Sequence, residues 1–329
     1  MLDLGPQRMV ERDPCDLCGA TACHVIAPAA ELHHETAVCG GCGLVRAVGV
    51  AGAFDVDRFY EDEFTGDAGG NAIAKAGVIQ PRQLWRQEQR AQHSLDVIRE
   101  RVSLDGKAVL DVRCRSGALA ALMNDAGARV TAVDFLEINV AHTRGRSSDI
   151  VARLLSVDDI ENLPFLDADS VDVVTGLTVH VLGHLARPSR FLAAVARVLK
   201  PGGLLILDEK DIMECERLTA DTILQTGKAH LFHLDPRTMA AYLQGAGLVV
   251  EQCADDPTRR SSFRHITAVA RKPDAPASSA TPIGDVEAVL AALSRSQRTL
   301  TRRRRLNKVR RSVRQFVKVF TRRRPARSR

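Results

Sequence analysis

The sequence predicts an α/β fold: a mainly parallel sheet flanked by helices, preceded by a small metal-binding ribbon and followed by a basic helical tail. Three observations predict it. Short apolar runs alternate with stretches of helical period through the middle of the chain, as expected of parallel strands joined by crossover helices. Two Cys-x-x-Cys pairs stand near the N-terminus, Cys15/Cys18 and Cys39/Cys42. From Arg295 to Arg329 there are 16 Lys and Arg and no Asp or Glu.

Length and composition bound these assignments. With 329 residues, 45% hydrophobic, the chain has room for one large domain plus appendages. No apolar run reaches the roughly 18 residues a spanning helix needs. The first 30 residues lack the basic-then-apolar order of a secretion signal, so a cytoplasmic location is expected. The net charge of +6 conceals an asymmetry, because residues 1–294 hold 30 basic and 40 acidic side chains, a net of −10. Only 13 aromatics argue against a function built on base stacking.

The ribbon is placed at residues 12–50. Two residues between paired cysteines let one tight turn aim both sulfurs at a single ion, and Gly19, Gly40, Gly41 and Gly43 are read as supplying the turn angles. Soft thiolates in a tetrahedral set favour zinc, and four of them leave no open position, which makes the ion structural. A disulfide or redox pair is the alternative, without a secretion signal to support it. Cys23, His24, His33 and His34 lie between the pairs as substitute ligands.

Residues 51–104 read as a connecting loop and then a helix over 81–102, with Leu84, Trp85, Leu95, Ile98 and Val102 as its apolar face. Within 105–271, strands are expected at 107–112, 129–133, 171–175 and 203–207, and helices at 118–126 and 188–199. Asp111 opens the turn after the first of these strands and Asp134 ends the second, where an acid accepts hydrogen bonds from a nucleoside ribose. The glycine pattern of dinucleotide binders is absent, which disfavours a nicotinamide cofactor. Residues 272–284 (KPDAPASSATPIG) read as a linker. The tail, 285–329, is a basic amphipathic helix, apolar first at Val286, Val289, Leu290 and Leu293 and later at Leu306, Val309, Val313, Phe316, Val317 and Phe320. It calls for an anionic surface: a bilayer reached through residues 300–329, the acidic body of the chain, or nucleic acid. The bilayer is favoured for the continuous apolar face. Nucleic acid is disfavoured because the body offers no reading element.

Five segments together resemble the class I S-adenosylmethionine-dependent methyltransferases, in particular the bacterial group with an N-terminal zinc-binding module. They are the cysteine pairs ending in CGGCGLV (39–45), RFYEDEF (58–64), VLDV (109–112) with Gly117, DIENLPF (159–165) leading into SVDVV (170–174), and VLKPGGLLIL (198–207). The resemblance implies a Rossmann-like seven-stranded sheet whose last strand is antiparallel, with 248–253 and 265–270 as the final strands. It implies zinc and S-adenosylmethionine as cofactors and a small-molecule acceptor, in this group a sugar or a lipid-linked glycan intermediate. The cofactor set it assigns is Asp111, Arg113, Gly117, Asp134, Asp159, Ile160 and Thr175, with Asp134 on the ribose and Asp159 and Ile160 framing the adenine.

Two departures stand out. The family's turn after the first strand carries three alternating glycines, whereas here it reads Asp111-Val112-Arg113-Cys114-Arg115-Ser116-Gly117. Either both arginines point outward, or the pocket takes an anionic ligand in place of S-adenosylmethionine, or the arginines close it and leave a catalytically silent scaffold anchored by its tail. The acid of a Leu-Glu-His-like segment is also missing from 181–185 (VLGHL). His184 there is either the general base or an ordinary polar residue at a helix start. His180, His230 and His233 are lesser candidates for the base, and Cys114 and Cys215 are read as packing groups.

Overall fold

The computed structural model describes residues 9–27, 34–49, 74–75, 78–177, 180–214, 230–255, 265–275 and 285–295. The 58–64 segment, His33, Cys215, most of the linker and the tail beyond residue 295 lie outside the described residues.

The ribbon begins with β1 (Met9–Glu11), β2 (Ala22–Ala27), β3 (Glu35–Cys39) and β4 (Val45–Val48), paired antiparallel in that order. A two-stranded hairpin follows, β5 (Ala74–Lys75) and β6 (Val78–Ile79). Helix α1 (Pro81–Arg99) starts on a proline at its first turn, where the missing N–H costs nothing. Its buried stripe is Gln87, Ala91, Ser94, Leu95 and Ile98, at spacings of three and four. Trp85, expected on that face, is 61% exposed, because it lies off this stripe.

The central domain then runs β7 (Ala108–Val112), α2 (Ala118–Asp125), β8 (Arg129–Asp134), α3 (Glu137–Arg144), β9 (Val151–Leu154), α4 (Val157–Asn162), β10 (Val171–Gly176), α5 (Pro188–Val198) and β11 (Leu199–Lys210). After it come β12 (Phe232–His233), α6 (Pro236–Gly245), β13 (Val249–Asp255) and β14 (His265–Arg271). Seven strands form one sheet in the order β13-β14-β11-β10-β7-β8-β9. Strands β11, β10, β7, β8 and β9 are parallel, while β14 pairs antiparallel with both β11 and β13. The sheet separates two apolar layers. One joins α1 and α2, through Leu95, Ile98, Leu119 and Met123, to Val109 and Ile206; the other joins α5 and α6, through Phe191, Val195 and Leu243, to Leu110 and Leu205.

The 203–207 strand is longer than the sequence suggests. It starts at Leu199, and Gly202 takes φ +72 within the Lys-Pro-Gly-Gly turn. A Cβ at Gly203 would sit 2.7 Å from the Lys200 carbonyl oxygen, so the second glycine is there for close approach.

The ribbon is built into this domain. Strand β12 completes its sheet as the neighbour of β4. Asp16, between Cys15 and Cys18, accepts from the Ser189 N–H (2.9 Å) and the Ser189 hydroxyl (2.7 Å) in the first turn of α5. The helix over 286–295, read from sequence as the start of the tail, packs Val289 and Leu293 on Ile26, Val38 and Val45 of the ribbon.

Candidate functional site

The chain visits β7, β8 and β9 moving outward on one side, then returns to place β10 on the other side of β7. The crevice at the carboxyl ends of β7 and β10 is therefore the switch point where open α/β sheets hold ligands. Asp111 is the penultimate residue of β7 there, and its Oδ1 accepts from the Thr175 hydroxyl on β10 at 3.0 Å. Asp111 is fully buried, and burial pushes its carboxyl up to about 7.

The turn after β7 keeps the backbone of a glycine turn with arginines in it. Arg113 has φ +57, Arg115 φ +53 and Gly117 φ +69, an alternation of left-handed residues. Helices on either side clamp it. Gln87 of α1 accepts from the Ser116 N–H at 2.9 Å, and Thr143 of α3 lies so close that a Cβ at Gly117 would fall 2.6 Å from its hydroxyl oxygen.

The guanidinium of Arg113 does not point outward. It lies over the Phe135 ring, 4.2 Å from the centroid, and it is raised in pKa by both Asp134 on β8 and Glu209 on β11. Those strands flank the β7–β10 pair. Burial outweighs the acids and brings Arg113 down to about 10. Arg115 is brought to about 10 by burial and by repulsion from Arg113 and Arg90.

Asp134, the expected ribose partner, is fully buried with both oxygens engaged. Oδ2 accepts from the Arg115 N–H (3.0 Å), and Oδ1 accepts from the Leu136 N–H (3.0 Å) and the Asn139 amide (3.1 Å). In this conformation the crevice does not fit the cofactor its fold implies: the ribose acid is satisfied by protein, and the Arg113 guanidinium lies on the neighbouring Phe135 ring. Asp159 is tied to the N-terminus of α4, where Ser156 donates to its carboxylate at 2.8 Å and accepts from its N–H at 3.0 Å. Ile160 is fully buried in the α5-side core.

Past β10 and β11 lies a histidine-rich cavity lined by His180, Glu209, Lys210, His230, Phe232 and His233. Glu209 Oε1 accepts from the Leu182 and Gly183 N–H groups at 2.6 and 3.3 Å. Burial raises its carboxyl to about 8. His184 lies against His230, ring centroids 4.1 Å apart, and burial, with Lys210 and His233 adding repulsion, takes it down to about 3. A base that weak takes little share of a hydroxyl proton at neutral pH. Burial, helped by Lys210, lowers His233 to about 3 as well. His265 and Asp208, which sequence reading passed over, stand on adjacent strands with Nδ1 and Oδ1 3.2 Å apart.

Cys15, Cys18, Cys39 and Cys42 converge. Sγ separations are 3.7 Å for Cys15–Cys42 and 3.5 Å for Cys18–Cys39, and all four sulfurs lie within 4.8 Å of one another. Bonds of about 2.3 Å in a tetrahedron give sulfur–sulfur edges of about 3.8 Å, so one metal ion fits among them. Gly19 and Gly43 do supply positive φ, whereas Gly40 and Gly41 serve another purpose. A Cβ at Gly40 would meet the Ala22 carbonyl oxygen at 2.9 Å, and one at Gly41 would meet Cys18 Sγ at 3.1 Å. Cys23 sits opposite Cys39 in the β2–β3 register, outside the sulfur cluster.

Comparison with known proteins agrees with this architecture. The family described as a methyltransferase domain matches residues 110–207. A ubiquinone biosynthesis O-methyltransferase of Hahella chejuensis is 42% identical over 114 residues, covering 33% of this chain and 45% of that one. A protein of the same name from Xanthomonas oryzae pv. oryzae is 32% identical over 169 residues, 48% of this chain and 69% of that one. The chain thus spans less than half the length of the first relative and about two thirds of the second. A solved S-adenosylmethionine-dependent methyltransferase from Mesorhizobium loti superposes with a TM-score of 0.47 at 15% identity, covering 56% of this chain and 99% of that one.

Proposed function

Since the chain belongs to the class I S-adenosylmethionine-dependent methyltransferases, we propose that it transfers a methyl group from that cofactor to a hydroxyl of a small metabolite. The observation that carries this reading is the switch-point crevice with Asp111 and Asp134 at its rim, in a chain whose relatives are named O-methyltransferases. A sugar or a lipid-linked glycan falls within this acceptor class. In this reading the cysteine cluster holds zinc, and the tail meets an anionic bilayer on the cytoplasmic side.

Cofactor entry requires Arg113 to leave Phe135. The turn's backbone is already in the glycine-like conformation.

A second reading is favoured by that same arginine: a silent scaffold whose crevice Arg113 keeps shut. Calorimetric titration with S-adenosylhomocysteine separates the two. Micromolar binding by the unaltered chain supports the enzyme. Silence at millimolar ligand, with binding restored by Arg113→Gly, supports the scaffold.

A further inference from the structure

We propose that His180, Asp208 and His265 form a binding site for a divalent first-row transition metal, distinct from the cysteine cluster. Three separate parts of the chain deliver these residues to one spot. His180 follows β10, Asp208 lies near the carboxyl end of β11, and His265 opens β14. In the β11–β14 register Lys210 pairs with His265 and Asp208 with Thr267, which makes Asp208 and His265 diagonal neighbours on one face of the sheet.

The geometry is that of a ligand set. One donor atom from each residue lies within 4.8 Å of the others, and His265 Nδ1 is 3.2 Å from Asp208 Oδ1. The His180 and His265 rings stack, with centroids 5.2 Å apart and planes 23° apart. Bonds of about 2.1 Å place ligand atoms roughly 3.0–3.4 Å apart when adjacent and about 4.2 Å apart when opposed. The 3.2 Å edge is already at that spacing, and no edge exceeds 4.8 Å, within about 0.6 Å of the opposed separation. The His180 side chain is 15% exposed, while those of His265 and Asp208 are 4% and 0%.

Two imidazoles and one carboxylate form a borderline set that selects zinc, cobalt, manganese or iron rather than calcium or magnesium. Three protein ligands leave coordination positions open. The open side is that of His180, beside the histidine-lined cavity. Glu209 Oε2 lies on the same side, 3.9 Å from His180 Nδ1. Resting on the methyl-transfer reading, an ion here would bind acceptor oxygens and lower a hydroxyl pKa at the place where His184 is too weak a base to do so. Metal binding itself does not depend on that reading.

The test uses the full chain, stripped of metal and titrated with Co²⁺, with no cofactor or acceptor present. The expected result is two equivalents per chain. One shows the intense near-ultraviolet sulfur-to-cobalt bands of a thiolate site; the other shows weak visible bands alone. His180→Ala should keep the thiolate bands, which reports that the fold is intact, and weaken the second equivalent at least tenfold. Asp208→Asn should do the same. A single equivalent in the unaltered chain, or a second one that neither substitution weakens, overturns the proposal and leaves Asp208 and His265 a buried ion pair. Methyl transfer would stay open in either case.

Discussion

Replacing Arg115 by glycine should stabilise this protein, although the change deletes a long side chain beside the central crevice. Arg115 holds φ +53, a left-handed conformation that costs an L-residue about 1–2 kcal/mol and a glycine almost nothing. Its Nε is buried with no hydrogen-bond partner among the described residues, so removing it gives up little. Glycine loosens the unfolded chain and takes back about 0.5–1 kcal/mol. The net is a gain of about 0.5–1 kcal/mol, or roughly 1–4 °C in Tm for a domain of this size. Arg113 starts from the same strain, but its guanidinium stacks on Phe135, an interaction of about 0.5–2 kcal/mol. Arg113→Gly should therefore come out near zero in stability while opening the crevice above Asp134. Urea denaturation of both variants, with calorimetry on S-adenosylhomocysteine, measures the two effects. An Arg115→Gly protein less stable than its parent by 1 kcal/mol or more would refute the strain argument. Arg113→Gly binding the nucleoside no more tightly than the unaltered chain would refute the closed crevice.

The other predictions are independent of that turn. Cys18→Ser should lose bound metal and lower the melting temperature by 10 °C or more, read by metal analysis and a thermal scan, since structural thiolate sites couple metal to folding. Asp111 keeps its proton to about pH 7 when folded, against 3.8 for the ordinary group, so its contribution favours the native state at low pH and is lost as pH rises from about 4 to 7. Asp111→Asn should consequently gain about 2 kcal/mol relative to the parent between pH 5 and pH 8 in urea midpoints; a pH-independent difference would count against the buried proton. Asp235 caps α6 in a reciprocal box with Thr238, so Asp235→Ala should cost about 1–2 kcal/mol in the same assay. Deleting 296–329 should abolish sedimentation with anionic vesicles, and equal pelleting of both chains would remove the bilayer from the proposal.

The central sheet was legible because its strands are buried on both faces and read as unbroken apolar runs, as at Val109-Leu110 and Leu204–Leu207. Strand β9 was not: it is an edge of four residues, and only Ala152 of Val151–Leu154 is buried. The four cysteines were readable from local spacing, which constrains two sulfurs at a time. The Arg113, Arg115 and Gly117 positions were legible as a departure from three alternating glycines, but a sequence does not say which rotamer a guanidinium takes in a crevice. His180, Asp208 and His265 share no local pattern, because the sheet register alone brings them together. Helix 286–295 shows a related failure. Its apolar positions were identified correctly, and what they cover, the ribbon, is some 250 residues away in the chain.

The pairing of β12 with β4 has a consequence for how this protein tolerates damage. The hydrogen bonds joining Ala47 to Leu231 and Leu231 to Gly183 stitch the cysteine-bearing end to the wall of the histidine cavity. Oxidising the thiols would thus be felt at that wall, and trimming the chain near residue 50 would expose a raw sheet edge next to it. The small module is a keystone of the larger one, and the two stand or fall together.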